Sequence, residues 1–261
     1  MSLRGKCALI TGSTGGLGRV VAEHFAREGC NVVLNGVVPE AEMTAALADL
    51  EAVHGISARY DRADLRKPDE IAAMMQRAFA AFGAVDILVN NAVVRHFSPV
   101  ESFPVERWDE ALAVNISAAF HTIRLALPPM RQRGWGRIIN VASPYSFIAI
   151  ANRIDYVTTK TALLGLTRTV ALETAGQDIT CNAVAPATLP TPPIEARLRG
   201  IAEDQGISVE AATQNYLAER QPGGRFVSMQ SVAALMGFLC GPNSRDISGA
   251  AIPLDCGWTV S

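Results

Sequence analysis

Short apolar runs alternate with segments of helical period from one end of the chain to the other, and this alternation limits the fold more than any other feature. The runs at 7–11, 31–35, 85–90, 137–142, 179–184 and 250–254 each have the length of a buried strand, and a weaker one falls at 56–60. Between them the period changes: Leu17, Val20, Val21, His24 and Phe25 stand at i, i+3, i+4, i+7 and i+8, one face of a helix. Further helices are expected over 40–53, 69–82, 106–133, 154–174 and 228–240, with Pro128 and Pro129 kinking or locally ending the long one. Apolar strands separated by helices predict an α/β protein: one doubly wound parallel sheet of about seven strands, with right-handed crossovers and helices on both faces. The 261 residues then form a single domain, 1–261, since α/β folds of roughly 200–250 residues often stay undivided.

The stretch 190–224 interrupts the alternation. It opens on Pro190, Pro192 and Pro193, carries a polar helical segment and closes on Pro222, Gly223 and Gly224, the marks of an insertion after a strand. At the carboxyl end of a parallel sheet it is either a mobile lid over substrate or a passive helical excursion. With 49% hydrophobic and 18% charged residues the chain can bury a large core and does not have the composition of a disordered one. Its 23 basic and 25 acidic side chains give no sign of nucleic acid or an anionic membrane, so a small-molecule partner is expected. The five cysteines show no metal-binding or disulfide spacing, which predicts no metal site and thiols kept in a reducing compartment. Neither a signal peptide nor a transmembrane run of about 20 apolar residues is read, and a cytoplasmic protein is expected.

Thr11-Gly12-Ser13-Thr14-Gly15-Gly16-Leu17-Gly18 joins the first strand to the first helix. Glycines there let the backbone turn tightly and approach a pyrophosphate, which free N–H groups and the helix dipole then hold. At this junction the loop predicts a Rossmann-type dinucleotide site, with Gly12, Ser13, Thr14, Gly16, Leu17 and Gly18 against the cofactor. At the end of the second strand an acidic side chain favours NAD and a basic one NADP. Here Asn35, Gly36, Val37 and Val38 carry no charge, Asn35 can hydrogen-bond a ribose hydroxyl, and NAD is expected. Asp64, before Leu65 and after the third strand, is either an acceptor for the adenine amino group or an exposed loop aspartate.

Lys160 lies four residues after Tyr156 in a helix-period segment, so both side chains share a face. A phenol ionises near pH 10, and a neighbouring ammonium stabilises the phenolate and brings it toward acid/base work at neutral pH. A surface-exposed pair is the alternative. Ser143, at the carboxyl end of the run 137–142, stands where open α/β sheets bind ligands, and is either a hydrogen-bond partner for a carbonyl or alkoxide oxygen or a turn serine. Asn115 is a polar residue in an apolar helical stretch: it either holds a water in a proton path toward Lys160 or only satisfies neighbouring backbone.

Together the Thr11-Gly12-x-x-x-Gly16-x-Gly18 loop, Asn90-Asn91-Ala92 and the set Asn115, Ser143, Tyr156 and Lys160 resemble the classical short-chain dehydrogenase/reductase family over essentially the whole chain. The resemblance implies hydride transfer with Tyr156 as acid/base, Lys160 lowering its pKa and holding the nicotinamide ribose, Ser143 orienting substrate and Asn115 completing a proton relay. It also implies cofactor contacts at Asn91, Ala92, Pro186 and Thr191, and a homotetramer. Within the family the chain is similar to bacterial D-3-hydroxybutyrate dehydrogenases, through Val33-Leu34-Asn35-Gly36, Asp86 to Ala92, Gly136 to Asn140, Ala171 to Gln177 and Asp255-Cys256-Gly257-Trp258.

That group holds its small carboxylate with a glutamine, a histidine, a lysine, a tryptophan and a second glutamine. Aligned through the shared motifs, these positions carry Arg95, Tyr145, Arg153, Thr188 and Arg197. The substitutions imply an anionic hydroxy or keto acid, larger or more acidic than 3-hydroxybutyrate. A sugar or polyol dehydrogenase and a 3-oxoacyl reductase are alternatives. Val93, Ala187 and Cys256 replace glycines of the family and add bulk where backbone approaches the cofactor, which raises a non-enzymatic alternative, a cofactor-binding regulator with little turnover.

Overall fold

The computed structural model describes residues 3–261. Seven strands, β1 (Cys7–Ile10), β2 (Asn31–Asn35), β3 (Ala58–Asp61), β4 (Ile87–Asn90), β5 (Gly136–Val141), β6 (Ile179–Pro186) and β7 (Ala251–Leu254), form one parallel sheet in the order β3-β2-β1-β4-β5-β6-β7. The helices are α1 (Gly16–Arg27), α2 (Glu40–His54), α3 (Pro68–Phe82), α4 (Val105–Leu112), α5 (Ala118–Arg133), α6 (Ile154–Glu173), α7 (Pro192–Gln205), α8 (Val209–Ala218) and α9 (Met229–Cys240).

Successive side chains on a strand point to opposite faces, and both faces here are covered. Ala8, Ile10, Val32 and Leu34 pack with Val21 and Phe25 of α1 and Met236 of α9, while Cys7, Leu9, Val33 and Leu88 pack with Ile71 and Met74 of α3 and Ile123 of α5. Every residue of β1, β4, β5 and β6 is therefore buried, which is why these runs read as continuously apolar. Strand order reverses between β1 and β4, so the loops after them diverge and leave a crevice at the carboxyl ends.

The helix expected over 106–133 is present as one continuous helical path, α4 and α5 joined by a π turn at Ala113–Ser117, and Pro128 and Pro129 do not end it: α5 runs through them to Gly134 (φ 66°). The prolines have no N–H for the carbonyls of Arg124 and Leu125 four residues earlier, and both Arg124 and Pro128 lie on the exposed side of the helix, where water can serve instead. The continuous helical path Val105–Arg133 is also long and apolar enough to cross a membrane by length and composition, which the sequence reading did not find. Within this fold it buries Asn115 and Thr122 in hydrogen bonds and packs Ala118, Ile123 and Met130 into the core.

The insertion holds two helices rather than one: α7 stops at Gly206 (φ 63°), and Ser208 caps α8 by accepting from Ala211 N at 3.1 Å. Its return is stapled by the fully buried Gln221, whose side chain accepts from Thr188 N (3.0 Å) and donates to Arg225 O (2.6 Å).

Cys256 has φ 53°, a left-handed conformation that crowds its Cβ. Cys256→Gly should therefore raise stability by up to about 1 kcal/mol, the relieved strain less the backbone entropy that glycine adds to the unfolded chain. A urea midpoint at or below that of the wild type would contradict this reading.

Candidate active site

A cleft of about 880 Å³ follows the carboxyl ends of the strands, lined at one end by Asp64 and Leu65 and at the other by Tyr145, Tyr156 and Trp258. At its middle is the glycine loop. Gly12 (φ 61°) lies so close to Ala92 that an added Cβ would stand 2.8 Å from Ala92 Cα, and at Gly18 an added Cβ would stand 2.3 Å from Gly12 O. The N-terminus of α1 has no side-chain cap, so its first N–H groups are left for an anion. Asn91 braces the loop from β4, its amide donating to Thr11 O and Gly12 O, both at 2.9 Å. Thr191, on the far wall, has a buried hydroxyl oxygen without a partner and lies beside Gly16. A shaped glycine cradle, an uncapped helix and an orphaned hydroxyl fit a nicotinamide dinucleotide.

The expected contacts divide in two. Gly12, Thr14, Gly16, Leu17, Gly18, Asp64, Leu65, Asn91, Ala92, Pro186 and Thr191 line the cleft, joined by Gly15, which the sequence reading passed over. Ser13 is corrected to an internal brace, and Asn35, which lines the cleft, spends its side chain on bracing as well. Ser13 is fully buried, donating to Ile10 O (2.7 Å) and accepting from Asn35 N (3.0 Å). Asn35 is 1% exposed; its amide nitrogen donates to Asp61 O (3.1 Å) and Ala63 O (3.0 Å), which uses both donors, and its oxygen accepts from Gly12 N (3.4 Å). Asp64 is held by Arg66 through both carboxylate oxygens, and these bonds keep its carboxyl below the usual range. Arg62, from the end of β3, reaches within 3.4 Å of Val37 O beside the end of β2, a neighbour that only sheet pairing reveals. Val93 and Ala187 line the cleft, whereas Cys256 packs against Gly223 and away from it.

Tyr156 and Lys160 share one face of the first turns of α6, as the spacing predicts. Lys160 is 2% exposed; its Nζ lies 5.7 Å from the centre of the Tyr156 ring and donates to Val141 O at 2.5 Å. Burial, with the charge of Arg95 as a lesser cause, pulls its pKa down to about 7. Ser143, at the end of β5, is buried, with its hydroxyl accepting weakly from Tyr145 N at 3.3 Å. Ser146, which the sequence reading missed, donates to Lys160 O (2.8 Å) and to this extent fixes the β5 end against α6. Asn115 sits in the π turn, where the extra residue rotates it inward; its amide exchanges two 2.9 Å bonds with the backbone of Val94 and donates to Thr159 Oγ1 at 3.1 Å. Of the two roles left open for it, backbone bracing is the one these bonds perform.

The five aligned positions, Arg95, Tyr145, Arg153, Thr188 and Arg197, all line the cleft that holds Tyr156. Arg153 is 7% exposed, its Nε has no partner, and its guanidinium lies 4.7 Å from the Tyr156 ring centre and 4.0 Å from that of Phe97. Burial lowers its pKa from the ordinary value. Arg197, on α7, faces Phe97 and Tyr216; Arg95 is exposed at the rim, and Thr188 is buried at the base. Tyr145 stands edge-on to both Tyr156 (6.2 Å) and Trp258 (5.2 Å), and burial pushes its phenol up. Arg197 makes no ion pair with Glu195, and among the described residues Arg95 and Arg153 make none either. Among the wall residues that went unread in the sequence are Phe97, Tyr216 on α8, Arg220 just after it and Trp258 near the C-terminus.

Residues 6–199 match the short chain dehydrogenase family. Over 259 residues the chain is 43% identical to the D-beta-hydroxybutyrate dehydrogenase of Cupriavidus necator, covering 99% of each protein. It is 41% identical to that of Rhizobium meliloti over 255 residues, 98% of this chain and 99% of the relative. L-Sorbose reductase from Gluconobacter frateurii, solved with NADPH and L-sorbose, superposes over the full length of both chains with a TM-score of 0.94 and 29% identity. The chain belongs to the short-chain dehydrogenase/reductase family and is an oxidoreductase acting on a CH–OH group.

Proposed function

We propose that the protein interconverts a hydroxy acid and its keto acid with NAD(H), the acid being larger or more acidic than 3-hydroxybutyrate. The observation that carries this is Arg153: a buried guanidinium that forms no ion pair among the described residues and is only partly offset by Asp155, against the ring of the proposed acid/base Tyr156. A buried unpaired charge is costly, and a substrate carboxylate relieves it. The bound nicotinamide supplies the hydride acceptor or donor, held by the glycine loop, Asn91, Pro186 and Thr191. Tyr156, as phenolate, takes the proton of the carbinol oxygen on oxidation and, as phenol, returns it on reduction; Lys160 offers its positive charge to the phenolate form, and Ser143 orients that oxygen. Asn115 holds the Val94 backbone and thereby the wall carrying Arg95. NAD is favoured because Gly36 and Val37 carry no charge, and Arg62 is exposed and turned to the Val37 carbonyl. The helices of the 190–224 insertion act as a substrate lid.

Exposed Phe120 and Leu172 on α5 and α6 support a homotetramer, and five free cysteines support a reducing, cytoplasmic setting. The full-length likeness to a sorbose reductase favours sugar or polyol chemistry as the second reading.

Steady-state assays of hydroxy monoacids, hydroxy diacids and neutral secondary alcohols, with NAD and with NADP, separate the two. The expected result is preference for acids and NAD, with Arg153→Ala raising KM for acids by about 10- to 100-fold, the usual worth of a hydrogen bond to a charged group. Equal turnover of neutral alcohols, undiminished in Arg153→Ala, would refute the reading.

A further inference from the structure

The substrate end of the cleft is walled by guanidiniums and aromatic rings in alternation. Arg153 lies 4.0 Å from the centre of Phe97, and Arg197 lies 5.2 Å from the same ring. Arg197 continues to Tyr216 (5.5 Å), whose ring Arg220 covers at 4.1 Å. The charge of Arg220 acts on the Tyr145 phenol, Tyr145 meets Tyr156 edge-on, and Arg153 over Tyr156 completes the circuit. The body of the protein supplies Arg153, Phe97 and both active-site tyrosines. Arg197, Tyr216 and Arg220 all come from the insertion.

The charges in this circuit do not cancel. Asp155, fully buried beside Arg153, partly offsets it, and one of the Asp155 carboxylate oxygens has no partner of its own. Arg220 pairs with Glu219 at 2.8 Å, but Glu219 is 71% exposed and adjacent in sequence, so water competes for that pair. Among the described residues Arg197 pairs with no acid, and neither does Arg95 at the rim. Glu110, which also lines the cleft, is already shared by Arg107, His96 and Arg66. Four guanidiniums at this end, set against two acids, leave a surplus of two positive charges. One carboxylate on Arg153 neutralises half of it.

The geometry points to a second, distal anion site formed by Arg197 and Arg220, so that the substrate is a hydroxy or oxo dicarboxylate whose far carboxylate is gripped by the insertion. This rests on the reading of the protein as a hydroxy-acid oxidoreductase and names the class of acid. Arg153 holds the carboxylate nearer the reacting carbon, since it alone of the three touches the Tyr156 ring. Arg197 and Arg220 flank Tyr216 one aromatic ring farther out and present planar forks that match a carboxylate. Rings stacked on both guanidiniums hold them in place, and Arg220 commits only Nη1, to Tyr216 O and Glu219, so its other N–H groups can donate. The far carboxylate displaces Arg220 from the exposed Glu219, and binding then draws the insertion onto the body. Charge recognition and closure of the site are thus one event.

The test compares 3-hydroxyglutarate, its monomethyl ester and 3-hydroxybutyrate with NAD in the wild type, Arg220→Gln, Arg197→Gln and Arg220→Lys. The ester keeps the size of the diacid and removes one charge. The expected kcat/KM ratio of diacid to ester is at least about 10 in the wild type, falling about 10- to 100-fold in each glutamine variant and partly restored in Arg220→Lys. NADH fluorescence titration of each variant verifies that the fold and the cofactor site persist. A wild-type ratio near one, or a ratio unmoved in both glutamine variants, overturns the distal site while leaving a monoacid substrate intact. Turnover of a neutral secondary alcohol as efficient as that of all three acids would instead bring down the hydroxy-acid reading itself.

Discussion

Tyr156→Phe is expected to lower turnover by at least ~100-fold, the usual contribution of a positioned acid/base, while NADH affinity stays within a few fold. The expectation follows from what the ring itself does. It meets Tyr145 edge-on at 6.2 Å and lies under Arg153 at 4.7 Å and Lys160 at 5.7 Å. Phenylalanine keeps all three contacts and removes only the hydroxyl, so the pocket walls stand and the proton has no carrier. Steady-state rates paired with NADH fluorescence titration check this. Near-normal turnover would show that another group moves the proton.

Lys160→Met is expected to abolish most activity, again by at least ~100-fold, and at the same time to stabilise the cofactor-free protein. The sign follows from the pKa. Burial lowers Lys160 from an ordinary 10.5 to about 7. Above the unfolded value neither state carries the charge and nothing is lost. As pH falls from 10.5 toward 7 the unfolded chain takes up a proton that the folded protein resists, so stability declines through that window and levels off below it. Methionine removes this decline, and the variant's advantage should widen from pH 10.5 to pH 7. The gain is several kcal/mol at most, reduced by about 1 kcal/mol for the lost bond to Val141 O. Urea unfolding of both proteins across that range provides the comparison. Parallel stability curves would contradict it.

The sheet was legible because its central strands are covered on both faces and so read as unbroken apolar runs. The loop at Gly12 to Gly18 was legible because close backbone approach excludes any Cβ there. What spacing does not convey is the direction of a side chain. Asn35 and Ser13 stand where a cofactor passes, yet both turn inward and tie the loop to β2 and β3. The π turn at Asn115 alters helical period by one residue, too little for an apolar pattern to register, and it is this extra residue that brings the amide to Val94. Arg62 reaches Val37 only because β2 and β3 pair in register. Arg220 and Gln221 lie in an insertion whose shape depends on tertiary contacts, so neither the fourth arginine of the pocket nor the staple to Thr188 could be read from local sequence. Ser143, Tyr156 and Lys160 could be singled out because they stand at a strand end and on one face of a helix, both of which the pattern does define.

The central claim, hydride exchange between NAD(H) and an acid with Tyr156 carrying the proton, is tested most directly by label transfer. Purified protein is mixed with NADH deuterated at both C4 positions and with 3-oxoglutarate or acetoacetate, and the product is analysed by mass spectrometry. The account predicts one deuterium on the new carbinol carbon, more product from the diacid than from the monoacid, and no labelled product above background with Tyr156→Phe. Oxidation of NADH without deuterium at that carbon, or equal labelling by the phenylalanine variant, would contradict it.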